Sequence, residues 1–310
     1  MILIANSGAR GGTAARTLKT IEKELKSRWG DFTVAFTRSE EEIRKLVASS
    51  YAGGERRFVA AGGDGCVNAL VQAVLTTLPD EQRETITLGA IGLGSSNDFH
   101  KPLSPDRIIS GIPCTMDFRS ARLRDVVKLE VGRNGSLETK HFLINASAGL
   151  TAEGNWFFNH PDRLLAALKR RWTGGAILYA TVRSMLTYRG QRLTIESGSL
   201  PPTGVDVTNL AMLKNPHVSG ALKFPGVGSY DSGLLDIHLA SNLGWRGRVR
   251  LFRALASGRA PEGPSVRSWQ SQELTLSCDT PFALEFDGEV VLTDRARVTV
   301  LPRHLRVCVC

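Results

Sequence analysis

The chain has 310 residues, with 39 Lys and Arg against 30 Asp and Glu, which gives a net charge of +9 at pH 7. Hydrophobic residues make up 42% and charged residues 22%, which excludes a disordered chain and a small disulfide-held domain. The positive surplus favours an anionic partner: nucleic acid, a phosphorylated small molecule or an anionic membrane surface. Charge alone equally allows that the surplus only keeps the protein soluble.

Signals for export, membrane insertion and cysteine chemistry are weak. No apolar run approaches the roughly 18 residues of a membrane span. Residues 1–6 have no basic leader and predict a first strand rather than a signal peptide. The five cysteines form no C-x-x-C pair, so metal ligation by cysteine is not expected. A reducing, cytoplasmic setting is the default expectation.

In the first 118 residues, short apolar strands alternate with amphipathic helices. The pattern predicts strands at 2–5, 32–36, 58–61 and 86–91, and helices at 13–28, 39–49 and 67–75. Ser39 followed by Glu42 is a capping box that marks the start of the second helix. This alternation is typical of a parallel sheet with helices on both faces. Residues 1–118 therefore predict a Rossmann-like α/β domain.

From residue 119 onward the pattern changes to many short, alternating apolar segments. Strands are predicted at 126–131, 141–146, 193–197, 205–213, 235–240, 273–277, 282–286, 290–293 and 297–300. Helical inserts are predicted near 163–188 and 244–255. Residues 119–310 therefore predict a β-sandwich with helical inserts. The C-terminal tail is a candidate to return to the first domain.

The strongest local signal is the loop Gly62-Gly63-Asp64-Gly65, between the strand at 58–61 and a helix. Glycines let backbone N–H groups approach a ligand closely, and a helix N-terminus carries partial positive charge. The loop therefore suits a phosphate, although it matches neither the Walker A nor the G-x-G-x-x-G motif. Asp64 beside a phosphate would need a cation or a hydroxyl partner. The simpler alternative is a strand–turn–helix corner.

A second glycine loop, Gly92 to Phe99, follows the strand at 86–91. Ligands of open α/β sheets bind at the carboxyl ends of the strands. Two glycine loops at that edge therefore suggest one nucleotide cleft. The alternative is a capped helix start, since Ser95 and Asp98 fit the S-x-x-D capping box.

The third signal is Asp287-Gly288-Glu289, between two apolar strands. Asp-Gly is the expected pair for a type I′ hairpin turn, so a purely structural role is open. Two carboxylates within three residues can also supply a general base and a metal ligand.

Taken together, these three motifs, in this order and spacing, resemble the diacylglycerol kinase-like lipid kinases. This family includes the soluble bacterial diacylglycerol and lipid kinases and the sphingosine and ceramide kinases. The resemblance covers nearly the whole chain, since residues 6–8, 142–149 and 231–236 also match family segments. It implies ATP bound in a cleft between a nucleotide domain and a β-sandwich. The implied reaction is transfer of the γ-phosphoryl group to a lipid hydroxyl, with Mg²⁺.

The resemblance also implies roles for individual residues. Nucleotide contacts fall on Thr37, Gly62, Gly63, Asp64, Gly65, Cys66, Asn68, Ser95 and Asn97. Asp64 and Asp287 would join the Mg²⁺ network, and Glu289 would orient or deprotonate the acceptor, which fits the needs of phosphoryl transfer. Asp231 and Leu234 would hold a second, structural Mg²⁺, with Ser232 where bacterial relatives often carry an aspartate.

The positive charge is concentrated in two acid-free segments. Residues 163–192 hold seven basic residues and residues 246–259 hold five. Both interleave cations with apolar and aromatic residues, which suits helices on an anionic membrane. The alternative is that arginine stems cover the apolar surface of packed helices. We expect peripheral attachment to the inner face of the membrane and no nucleic-acid partner, with a homodimer left open.

Two other functions compete with a lipid kinase. A soluble small-molecule kinase of the NAD kinase type also uses a Gly-Gly-Asp-Gly loop. A catalytically weak lipid- or nucleotide-binding protein is suggested by Cys66, where the family usually has Thr or Ser, and by Ser232. The sequence does not identify the lipid alcohol: diacylglycerol, ceramide and a sphingoid base all remain candidates.

Overall fold

The structure is a computed structural model that describes residues 1–6, 14–133, 135–198 and 200–309. It divides into two compact units, Met1–Val126 with Leu301–Cys310, and Val127–Val300. The first boundary lies later than the predicted residue 118, inside a long strand that begins at Arg122. The C-terminal residues group with the first unit, where Val307 pairs with Leu88.

The first unit alternates strands and helices. In chain order these are β1 (Ile2–Asn6), α1 (Ala14–Trp29), β2 (Thr33–Thr37), α2 (Glu40–Ala52), β3 (Arg57–Gly62), α3 (Asp64–Thr77), α4 (Asp80–Arg83), β4 (Thr87–Gly92), β5 (Ile108–Ile109) and β6 (Ile112–Thr115). Each strand and helix predicted in this half is present, with ends shifted by three residues at most. The Ser39 hydroxyl accepts from the Glu42 N–H at 3.2 Å, as the capping box predicts.

Strands β1 to β4 form parallel pairs in the order β2-β1-β3-β4. This order differs from the 3-2-1-4 order of a Rossmann sheet, and β6 pairs antiparallel with β4. The predicted parallel strands are therefore present, in an order other than that of the Rossmann sheet. The register aligns Gly62 with Gly92, so the two glycine loops leave the sheet side by side.

The second unit is antiparallel. Its elements are β7 (Arg122–Arg133), β8 (Ser136–Phe142), β9 (Asn145–Gly149), α5 (Leu150–Asn159), α6 (Arg163–Arg171), α7 (Thr173–Thr187), β10 (Gln191–Ser197), β11 (Leu200–Leu213), β12 (His217–Val218), β13 (Leu222–Lys223), β14 (Leu235–Ser241), α8 (Trp245–Ala256), β15 (Val266–Ser271), β16 (Glu273–Phe286) and β17 (Glu289–Val307).

The two long strands β11 and β16 organise this unit because each pairs with β10 along one half and with β9 along the other. The largest cluster of buried side chains in this unit draws on strands from β7 to β17 and includes Phe142, Met212 and Phe282, and a second cluster joins β11 to α8 through Leu213 and Leu251. Helices α6 and α7 pack on α5 and on one another around a small separate cluster that contains Leu165 and Ala176.

The second unit departs from the predicted pattern in several places. The predicted strand at 141–146 is broken between β8 and β9, because the N–H groups of Leu143 and Ile144 donate to a carboxylate instead of a neighbouring strand. The pairs of strands predicted at 273–286 and 290–300 are single long strands, β16 and β17. Helix α5 and strand β15 were not predicted.

Candidate functional site

The two glycine loops of the first unit touch each other. The Leu93 N–H donates to the Gly62 carbonyl at 2.8 Å. A Cβ added to Gly94 would lie 2.5 Å from the Gly63 Cα, and one added to Gly63 would lie 3.1 Å from the Gly94 Cα. Backbone contact therefore requires glycine at position 94, and a Cβ at position 63 would fit only if the facing loop shifted by a few tenths of an ångström.

Helix α3 begins within the first loop. The first intrahelical bonds run from the N–H groups of Cys66 and Val67 to the Gly63 carbonyl. The N–H groups of Asp64 and Gly65 precede these bonds and belong to the open end of the helix. Such a terminus attracts an anion.

Asp64 joins the two loops through its carboxylate. Its Oδ2 accepts from the Asp98 N–H at 3.1 Å and its Oδ1 from the Phe99 N–H at 3.0 Å. Burial, followed by the nearby Asp98 carboxylate, raises the pKa of Asp64 above its usual value. The Asp98 carboxylate is itself paired with the Lys101 ammonium at 2.8 Å. The Asp64 side chain therefore works as a clamp between the loops.

Asn97 fixes the shape of the second loop. It adopts a left-handed backbone with φ 51°. Its Oδ1 accepts from the Gly94 N–H at 2.9 Å, and its Nδ2 donates to the Gly94 and Gly92 carbonyls at 3.1 and 3.3 Å. The Ser95 side chain is exposed at the tip of this loop. Asn97 thus braces the loop, whereas Ser95 is open to a ligand.

Three other predicted nucleotide contacts are buried. The Cys66 thiol lies 3.9 Å from the Ile4 carbonyl, and burial raises its pKa to about 11. This placement in the core does not favour a contact between the thiol and a phosphate. Asn68 and Thr37 are buried on α3 and at the end of β2. Ser7 and Gly8, from the predicted opening loop, lie outside the described residues, as does the side chain of Arg170.

In the second unit, Asp287 and Gly288 form the turn between β16 and β17. Both have positive φ, 45° and 91°, which matches the predicted type I′ turn. The buried Asp287 carboxylate accepts three backbone N–H groups, from Leu143 at 2.8 Å, Ile144 at 2.9 Å and Asn145 at 3.1 Å. Asp287 therefore anchors the turn to the segment between β8 and β9.

A carboxylate that sequence reasoning missed lies beside this turn. Glu285 is buried on β16, where its Oε1 accepts from the Gly288 N–H at 2.9 Å and its Oε2 from the Ser147 hydroxyl at 2.9 Å. The sequence does contain a signal for this residue, because Glu285 stands between Leu284 and Phe286 in an otherwise apolar strand. Glu289, the first residue of β17, is exposed. Of these three carboxylates, Glu289 is the one that presents its side chain to solvent.

The residues predicted to hold a structural metal do not fit one. The Leu234 carbonyl accepts from the Lys214 ammonium at 2.8 Å, and the same ammonium donates to the Ser232 hydroxyl at 3.1 Å. Asp231 is exposed and accepts a short hydrogen bond from the Ser229 hydroxyl. A divalent cation at Leu234 would lie against the ammonium, so the predicted site at Asp231 and Leu234 is corrected. Among the described residues, no three His, Cys, Asp or Glu side chains form a group that could hold a metal ion.

Comparison with known families accounts for both units. Residues 1–132 match the diacylglycerol kinase catalytic domain, and residues 162–309 match the YegS C-terminal NAD kinase beta sandwich-like domain. A catalytic domain followed by a β-sandwich domain of this kind defines a two-domain kinase. The chain belongs to the diacylglycerol kinase-like lipid kinase family. Membership makes it a phosphotransferase, and the family suggests that it uses ATP.

Two relatives and one solved structure each match at least 91% of this chain. The chain is 22% identical to the "Probable lipid kinase YegS-like" of Enterobacter sp. (strain 638), over 98% of this chain and 94% of the relative. It is 25% identical to the protein of the same name from Xanthomonas campestris pv. campestris (strain 8004), over 91% and 88%. A diacylglycerol kinase structure from Bacillus anthracis str. Sterne superposes with a TM-score of 0.67 at 16% identity, covering 100% and 96% of the two chains. At that identity, the likeness shows the fold.

The clamp role of Asp64 predicts a loss of stability on Asp64→Asn. The amide NH₂ would face one of the two backbone N–H donors, so the free energy of unfolding should fall by about 1–3 kcal/mol. Denaturant unfolding of the full chain measures it. The matched control is Asp31→Asn, at an exposed aspartate of the same unit. Equal stability of Asp64→Asn and the control would show that the two N–H bonds do not hold the loops.

His100, next to this clamp, should make the first unit sensitive to acid. It is buried, with its Nδ1 2.8 Å from the Thr115 hydroxyl, and burial lowers its pKa to about 3. A histidine that is neutral in the folded state and protonated in the unfolded state loses folding stability as pH falls. The loss begins below the unfolded pKa of about 6.5 and continues toward the folded pKa.

Removing this histidine should therefore flatten the pH dependence. Between pH 6.5 and pH 5, unfolding free energy in the wild type should fall by about 2 kcal/mol more than in His100→Gln. His160→Gln, at an exposed histidine, should follow the wild type. Denaturant unfolding at several pH values makes the comparison. A wild-type slope in His100→Gln would place His100 outside the acid response.

Proposed function

We propose that this protein transfers the γ-phosphoryl group of ATP to the hydroxyl of a lipid alcohol at the surface of an anionic membrane. The observation that carries the membrane part is a surface of the second unit. Eleven large hydrophobic side chains are exposed among the described residues, and eight of them lie between residues 164 and 249. These are Leu164, Trp172, Ile177, Leu178, Val182, Leu186, Trp245 and Val249.

Exposed arginines accompany these apolar side chains. On α7, Leu178, Val182 and Leu186 recur every four residues and so form one stripe along the helix. On α8, a groove beside Val249 is lined by four arginines: Arg246, Arg250, Arg253 and Arg259. Apolar side chains combined with arginines are typical of helices that lie in a membrane interface. We call residues 163–187 and 245–259 together the basic apolar surface.

Some cations of these segments instead hold the helices in place. Arg248 donates to the carbonyls of Met185 at 3.0 Å and Tyr188 at 2.6 Å, at the end of α7. The Lys169 ammonium donates to the Phe158 carbonyl at 2.9 Å, and the Arg183 guanidinium lies 3.9 Å from the centre of the Phe157 ring. The alternative that these cations serve packing therefore holds for Lys169, Arg183 and Arg248. It does not explain why the eight large apolar side chains are exposed.

An anionic membrane suits the basic apolar surface better than a second copy of the chain. Two such surfaces facing each other would bring arginines against arginines, which costs free energy. Anionic headgroups would neutralise the arginines while the acyl region takes up the apolar side chains. No helix of the described residues is long and apolar enough to cross a membrane.

The chemistry divides between the two units. In the first unit, the N-terminus of α3 and the Ser95 hydroxyl would bind the phosphates of ATP. Asp64 would hold Mg²⁺ through the remaining lone pairs of its carboxylate, and the ion would spread the phosphate charge. In the second unit, Glu289 would take the proton of the acceptor hydroxyl as its oxygen bonds to the γ-phosphorus and ADP leaves. Asp287 would act as a positioning residue for Glu289.

A product analysis tests the proposal directly. The protein is incubated with labelled ATP and anionic vesicles that contain a panel of lipid alcohols: diacylglycerol, ceramide and a sphingoid base. We expect one labelled phospholipid and a requirement for Mg²⁺. Label found only in a soluble acceptor such as NAD would favour the soluble-kinase alternative. Vesicle or ATP binding without a labelled product would favour the binding-protein alternative.

Glu289→Gln should lower turnover by at least about 100-fold, because the amide cannot accept the proton of the acceptor hydroxyl. Its exposed position predicts an unchanged thermal midpoint. Initial rates with vesicle-bound lipid measure the effect. The control is Glu262→Gln, at an exposed glutamate of the same unit, which should keep wild-type turnover. Near-normal rates in Glu289→Gln would remove Glu289 from the reaction.

Reversing charge on α8 should weaken vesicle binding. The double variant Arg250→Glu and Arg253→Glu removes two cations from the basic apolar surface, so affinity for anionic vesicles should fall at least about tenfold. The remaining binding should depend less on salt. Co-sedimentation at two ionic strengths measures both effects.

The matched control is Arg267→Glu with Arg295→Glu, which makes the same charge change at exposed arginines of the same unit. It should bind vesicles nearly as the wild type does. Equal losses in both double variants would mean that only net charge matters. A concentration-dependent dimer, abolished by the α8 variant alone, would assign the surface to a second copy.

A further inference from the structure

Lys214 is a buried cation that donates to three oxygen acceptors of one loop. It follows β11, and its side chain is only 2% exposed. An ammonium group has three N–H donors. The Lys214 Nζ donates to the Ser229 carbonyl at 3.1 Å, the Ser232 hydroxyl at 3.1 Å and the Leu234 carbonyl at 2.8 Å. These three acceptors belong to one loop, residues 229–234, so a single cation draws the loop together.

The backbone beside this ammonium connects the loop to the Asp287 turn. The N–H groups of Lys214 and Asn215 donate to the Ile144 carbonyl at 2.9 and 3.0 Å. The Ile144 N–H, on the other side of the same residue, donates to the Asp287 carboxylate. A continuous series of hydrogen bonds therefore runs from the 229–234 loop through Lys214 and Ile144 to Asp287.

We propose that the Lys214 ammonium takes the place of a divalent cation in the 229–234 loop. The folding of this loop, and with it the position of the Asp287 turn, would then need no bound metal. Mg²⁺ and Ca²⁺ bind best where carboxylates offset their double charge. The Ser229 and Leu234 carbonyls and the Ser232 hydroxyl that accept from Lys214 are neutral oxygens, which suit a single positive charge. The distances of 2.8 to 3.1 Å are those of N–H donors, longer than the roughly 2.1 Å of Mg²⁺–oxygen contacts.

This proposal concerns folding and so goes beyond the proposed function. The protein would need Mg²⁺ only for binding and using the nucleotide. Thermal unfolding without nucleotide tests it, whether or not the chain phosphorylates a lipid. A cation bound at 100 times its dissociation constant would raise the midpoint by several degrees. We expect the wild-type midpoint to be the same, within about 1 °C, in EDTA and in millimolar Mg²⁺ or Ca²⁺. A clear fall in EDTA would overturn the proposal.

Variants provide the second readout. Lys214→Met keeps the length of the side chain but removes the hydrogen-bond donor of three oxygens. The thermal midpoint of the variant should therefore fall by at least about 5 °C. The control is Lys223→Met, at an exposed lysine on β13, and its midpoint should not change. An unchanged midpoint in Lys214→Met would overturn the proposal. If Lys214→Met does not fold, the EDTA comparison on the wild type decides.

A double variant tests whether ammonium and metal are exchangeable in this loop. Lys214→Met with Ser232→Asp removes the cation and supplies a carboxylate. We expect Mg²⁺ or Ca²⁺, but not EDTA, to return at least half of the midpoint lost in Lys214→Met. If the thermal midpoint of the double variant were the same in Mg²⁺, Ca²⁺ and EDTA, the ammonium and a metal ion would not be exchangeable in this loop.

Discussion

The second unit depends on one buried carboxylate. Asp287 accepts three backbone N–H groups, and such charge-assisted bonds are among the stronger hydrogen bonds of a protein. A buried carboxylate without them would be costly. The same bonds take the N–H groups of Leu143 and Ile144 away from the sheet, so β8 ends at Phe142 and β9 begins at Asn145. These bonds fix the position of the turn, and Glu289, two residues after Asp287, is exposed at the surface.

The first unit uses the same device. Asp64 accepts two N–H groups from the neighbouring glycine loop, as Asp287 does from the segment between β8 and β9. Asp64 begins helix α3 and Asp287 begins an Asp-Gly turn, and each accepts N–H groups of another segment, which need partners outside a helix or a sheet. A carboxylate in such a position can therefore be essential to a reaction by shaping the site. The buried Asp64 and Asp287 belong to the motifs that resemble the family, whereas Ser95 and Glu289 of the same motifs are exposed.

How much the sequence could predict depends on whether the signal is local. The capping box at Ser39, the Asp-Gly turn at Asp287 and the helix after Gly63 rest on a few adjacent residues, and the structure shows all three. The interruption between β8 and β9 at Leu143 depends on the distant Asp287 carboxylate, and the shape of the second loop depends on the Asn97 side chain. The pattern of apolar residues reports neither polar contact. Lys214 is the clearest case. A lysine after an apolar strand predicts a solvated strand end, and its burial follows from a loop 15 to 20 residues away.

The net charge of +9 can now be divided by what the cations do. Lys214, Lys169, Arg183 and Arg248 are committed to carbonyls, a hydroxyl or an aromatic ring of their own unit. The arginines along the α8 groove are instead exposed beside apolar side chains. If the protein binds an anionic membrane as we propose, the second group would be attracted to it, because screening in water confines electrostatic attraction to charges within about a Debye length, roughly 8 Å, of the lipid. Attraction to an anionic surface should therefore follow the position of the arginines on α8 rather than the total charge. The acid-free composition of residues 246–259 matters because no carboxylate within that segment offsets its exposed arginines.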